Sequence, residues 1–148
     1  WTQHCWGVTC VNDMEAMLSY QPITIGDKEQ ALADLVRCYE KMMMRSHTNG
    51  GYVNLLDECW KMCEKFHTNI VIMYDHVSCK NVGGLHGLFE DQARERGIHL
   101  IWIPHDVMDP RTVSRREMRE AFSQYMVTVL NEKPLDPTLL DYEDTLSW

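Results

Sequence analysis

Two short polar stretches hold the side chains best suited to chemistry. One reads Asp75-His76-Val77-Ser78-Cys79-Lys80-Asn81, and the other His105-Asp106-Val107-Met108-Asp109-Pro110-Arg111. The first offers a thiol, an imidazole, a hydroxyl and an ammonium. The second offers an imidazole, two carboxylates and a guanidinium. Cys79 has three chemical uses. As a nucleophile it needs a base, which His76 or His105 can supply. As a zinc ligand it would join those two histidines, although no ligand spacing supports that set. As an iron–sulfur ligand it would make one of four bonds, the others coming from elsewhere. The plain alternative is a loop cysteine with no task. His76 and His105 are the candidate proton carriers, against the alternative of ordinary histidines with satisfied hydrogen bonds. Asp106 and Arg111 are read as an ion pair that pins the second loop, with Ser78, Lys80 and Asp109 as further loop-structuring residues.

The other five cysteines, Cys5, Cys10, Cys38, Cys59 and Cys63, carry weaker signals. Cys59 and Cys63 are four apart and share a helical face, so they either grip a metal or pack as small hydrophobes beside Leu and Phe; packing is the expectation. No C-x-x-C pair is present. Gly83-Gly84-Leu85-His86-Gly87 has neither a Walker lysine nor G-x-G-x-x-G spacing, so it marks no nucleotide site.

Elements must bring the two loops together. Ile70–Tyr74 and His99–Ile103 are short apolar runs rich in β-branched residues, which predicts two strands buried on both faces. A helix from about Leu85 to Arg96, closed by Gly97, links them. A long helix from about Arg115 to Leu130, capped by Thr112 or Ser114, follows the second loop. Upstream, helices are expected over 11–20, over Lys28 to about Met44 with Asp27 and Gln30 as a capping box, and over about Val53–Phe66. The Lys28 helix carries an apolar face of Ala31, Leu32, Leu35, Cys38, Tyr39, Met42 and Met43. Strands and helices alternating on short connections predict an α/β domain with a small parallel sheet, Rossmann-like or flavodoxin-like, flanked by helices. Two strands make a thin sheet, so one or two more are expected at Trp6–Val11 and Pro22–Ile25. Both polar loops then leave the carboxyl ends of strands, the edge where such sheets bind ligands.

The chain has 148 residues, enough for one domain with a real core. Residues 1–130 are read as that domain and 131–148 as an extended acidic tail. The start at Trp1 rather than Met predicts a piece of a longer chain. Fourteen basic and 22 acidic residues leave a net charge of −8, a poor match to nucleic-acid phosphates or an anionic bilayer. No apolar run is long enough to span a membrane and no signal peptide leads the chain, so a cytoplasmic protein with reduced cysteines is expected.

The run from Ile70 to Leu130 resembles the C-terminal α/β domain of the subunits of 2-hydroxyacyl-CoA dehydratases and ATP-dependent benzoyl-CoA reductases. Four features carry the resemblance: a strand running into Ser78-Cys79-Lys80; a helix leading to Gly97-Ile98 and a second strand; the D-x-x-D-x-R element Asp106 to Arg111; and Ser114-Arg115-Arg116 opening a long helix. The helical pair over Lys28–Phe66 falls where the family has two helices before that strand. Asn81-Val82-Gly83-Gly84 and the wording from Asp106 to Arg116 lean toward the reductases.

The resemblance implies a cluster-bearing subunit that pairs with a homologous second subunit. An ATP-hydrolysing activator delivers a low-potential electron, and a CoA thioester is the substrate. A reductase completes ring reduction of a benzoyl-CoA-type thioester; a dehydratase instead expels hydroxide from a 2-hydroxyacyl-CoA. It further implies a [4Fe–4S] cluster in the full-length protein, with Cys79 at the position of one ligand. The other two family cysteines have no counterpart at Cys5 or Cys10, so these 148 residues alone are expected to hold no cluster and to be inactive. Two other readings remain: a non-catalytic α/β module that binds a partner, and, more remotely, a cysteine hydrolase.

Overall fold

The structure, a computed structural model, describes residues 1–14, 22–40, 42, 45, 50–109 and 111–141. It is a mixed α/β chain in two compact units, one formed by Trp1–Cys10 with the described residues from Asn69 onward, the other by those of Val11–Thr68. The helices are α1 (Thr2–Trp6), α2 (Lys28–Glu40), α3 (Tyr52–Phe66), α4 (Lys80–Gly83), α5 (His86–Arg96) and α6 (Arg115–Thr128). Strands β1 (Ile70–His76) and β2 (His99–His105) pair in parallel, in register from Ile70 opposite His99 to His76 opposite His105.

Strand alternation sorts the side chains of this sheet onto two faces. Ile72, Ile101 and Ile103 face α6, where Phe122 and Met126 join Cys5 and Trp6 of α1 in a buried cluster. Burying a side chain such as Phe122 contributes roughly 1.5–3 kcal/mol. Trp102, one residue out of phase, faces α5 and meets His86 and Phe89. Gly97 ends α5 in the left-handed region at φ 66°, with its N–H and that of Ile98 donating to the carbonyls of Arg94 and Ala93. Such a helix end favours glycine because a Cβ is strained there.

Ser114 starts α6 through a complete capping box. Its hydroxyl accepts from the Glu117 N–H at 3.2 Å, and the Glu117 carboxylate accepts from the Ser114 N–H at 2.6 Å. The described part of the tail is tied down rather than simply extended. The Leu135 N–H donates to the Cys5 carbonyl at 2.7 Å, and the Trp1 indole donates to the Leu139 carbonyl at 2.8 Å.

In the other unit, the Asp27 carboxylate caps α2, accepting from the N–H groups of Glu29 and Gln30 at 3.0 and 3.1 Å. The Gln30 amide does not close a capping box. It donates instead to the buried carboxylate of Asp34, which also accepts from the Thr24 N–H and hydroxyl and from Arg37. On α3, Leu55, Leu56, Cys59, Trp60 and Cys63 are buried, so the cysteine pair packs as expected, while Phe66 is exposed.

Several expectations are corrected. Thr2–Trp6 is a helix, and neither Trp6–Val11 nor Pro22–Ile25 forms a strand, so among the described residues the sheet has two strands. Strand β1 is half-buried, not buried on both faces, with Tyr74 exposed. Among the described residues no further strand pairs with β1. Leu32, Leu35 and Tyr39, expected in a core face of α2, are exposed. The helix expected from about Leu85 to Arg96 is α5, while the short α4 stands in the stretch expected as loop, with Gly84 and Leu85 forming a turn between the two. The helix expected over 11–20 lies from residue 15 outside the described residues, as does most of the expected extension of α2 to Met44. No helix of the described residues is long and apolar enough to cross a membrane.

Candidate functional site

The parallel register places both polar loops at one edge of the sheet, as their positions after the strands predict. His76 and His105 are opposite partners at the strand ends. The Val77 N–H donates to the His105 carbonyl at 3.1 Å, carrying the ladder one step past the strands. The two imidazoles meet edge to face with centroids 5.9 Å apart, and the Tyr74 ring lies 5.2 Å from His105.

His76 is the hub of this edge. Its Nδ1 accepts from the Ser78 N–H at 3.0 Å. Its Nε2 is 3.9 Å from the Asp106 carboxylate and faces the Val107 N–H at 3.4 Å. The His76 carbonyl accepts from the Cys79 N–H at 2.8 Å. One residue therefore holds the first loop by ring and backbone and faces the second loop.

Cys79 occupies the N-cap position of α4, and its carbonyl accepts from the Gly83 N–H at 3.0 Å. The side chain is half-buried, whereas Ser78 and Lys80 beside it are exposed. Gly84 completes the turn: a Cβ there would meet the Lys80 carbonyl oxygen at 3.1 Å, tighter than most side chains tolerate.

In the second loop, Asp106 folds back on its own backbone. Its Oδ1 accepts from the N–H groups of Met108 at 2.9 Å and Asp109 at 3.2 Å, an Asx turn. The Met108 N–H holds this carboxyl below its ordinary range, against the opposing effect of burial, with help from Asp109, Thr112 and His76. Arg111 does not pair with Asp106, contrary to expectation. It grips Asp109 instead, with Nη2 at 2.7 Å and Nε at 2.9 Å. This pair lowers the Asp109 pKa and raises that of Arg111. Asp106 is already committed to backbone donors, and the carboxylate two residues away is the easier partner.

None of the six cysteines forms a disulfide. Cys5 is fully buried, and burial pushes its thiol pKa up, which makes it a poor thiolate. Cys10 is exposed beyond α1. Among the described residues, no three or more of His, Cys, Asp and Glu gather as a metal site. Sequence reading missed His86 altogether. Its ring stacks on Trp102, and its Nε2 lies 3.3 Å from Asp75. The available signal was strand parity, which sends Asp75 and Trp102 to one face of the sheet.

No family model, curated protein or solved structure matches this chain.

Proposed function

We propose that this chain belongs to the cluster-bearing subunit of an ATP-driven, low-potential iron–sulfur enzyme that reduces aromatic CoA thioesters of the benzoyl-CoA type. One observation carries the reading. The Ser78-Cys79-Lys80 loop and the Asp106-to-Arg111 loop stand at the same carboxyl edge of a parallel sheet, joined through His76. The four stretches that carry the resemblance also fall on distinct structural tasks: a strand-end loop, a helix C-cap, a second strand-end loop and a helix N-cap.

The residues present do not by themselves fit a whole [4Fe–4S] cluster. Such a cluster takes four ligands, and no ligating trio gathers among the described residues. Cys79 is the thiol in this edge loop and supplies one ligand in the proposed enzyme; the others come from outside these 148 residues. Within this chain, the Cys79 N–H bond to the His76 carbonyl orients the loop, and Asp106 shapes the loop opposite. His76 and His105 are the candidate proton carriers at that edge. The homologous second subunit, the ATP-hydrolysing electron donor and a cytoplasmic location belong to the same proposal.

The test is made in the assembled enzyme, purified without oxygen. Cys79→Ala is expected to lose bound iron and turnover while the complex stays folded, and the 148-residue chain alone is expected to be colourless and metal-poor. Full activity in Cys79→Ala would overturn the proposal. Turnover of 2-hydroxyacyl-CoA with no reduction of aromatic thioesters would move it to the dehydratases.

A further inference from the structure

We draw no further inference here: the strongest candidate, the exposed apolar stripe of Leu32, Leu35, Val36 and Tyr39 along α2, is a helix face for which nothing in the structure shows what covers it.

Discussion

The imidazole of His86 lies flat on the indole of Trp102, with ring centroids 3.6 Å apart and planes 16° from parallel. This contact fastens the first turn of α5 to the centre of β2. Trp102 also meets Phe89 edge to face at 6.1 Å, so α5 holds the indole from two positions. His86→Ala is expected to cost about 1–2 kcal/mol, from lost stacking and lost area. His86→Phe keeps the ring and is expected to recover most of that loss. Chemical denaturation measures both, and an unchanged midpoint in His86→Ala would show that the stack contributes nothing to stability.

Two cysteines separate packing from position. Cys59 is 1% exposed on α3, while Cys79 is half-buried in a loop. Cys59→Ala is expected to lower stability by about 1 kcal/mol, the ordinary cost of trimming a buried side chain. Cys79→Ala is expected to stay within about 0.5 kcal/mol of the parent chain. Equal losses in urea unfolding would contradict the contrast.

The carboxyl of Asp106 has its pKa lowered in the folded state, first by the Met108 N–H. A lowered folded pKa contributes stability that is fully present above the unfolded value, about 3.9, and is lost as pH falls through the folded value. Asp34, Asp109 and Glu117 are shifted in the same direction by their own donors. Acid unfolding is therefore expected to set in below about pH 4 and to steepen as these groups protonate together. Asp106→Asn keeps an oxygen for the Asx turn but does not titrate, so its stability curve should be shallower between pH 4 and pH 2 on this scale. An identical acid limb in the variant would remove Asp106 from the set.

Helix α6 depends on its N-cap, Ser114. Ser114→Ala removes one half of the capping box and is expected to cost about 1 kcal/mol, within a usual range of roughly 0.5–2. Glu117→Gln still reaches the Ser114 N–H and is expected to be milder. Melting temperatures of the two variants, compared with the parent chain, test that order.

The parts of the fold written in local pattern were legible. Both strand cores, the glycine stop at Gly97 and the serine cap at Ser114 fall where apolar runs and capping residues indicate. The meeting of the two polar loops followed from their positions after parallel strands. Long-range competition was not legible. A strand is expected over Trp6–Val11, yet that stretch forms none, and Thr2–Trp6 is a helix whose Cys5 and Trp6 fill the core beside Phe122. Asp106 and Arg111 have complementary charges and a plausible spacing, but the backbone donors after Asp106 and the nearer Asp109 outcompete that pairing. His86 escaped notice because a lone histidine in a first helical turn shows nothing until the opposing strand face is known.

The bond from the Trp1 indole to the Leu139 carbonyl spans 138 positions of the chain, and it imposes an order of events. During synthesis, the residues around Trp1 must wait for those around Leu139 before they find their seats. Until α6 and the segment after it emerge, Cys5 and Trp6 lack Phe122 and Met126, and their apolar surface is left to the solvent or to a chaperone. A ribosome stalled before Phe122 would therefore display Cys5 and Trp6 as a sticky surface.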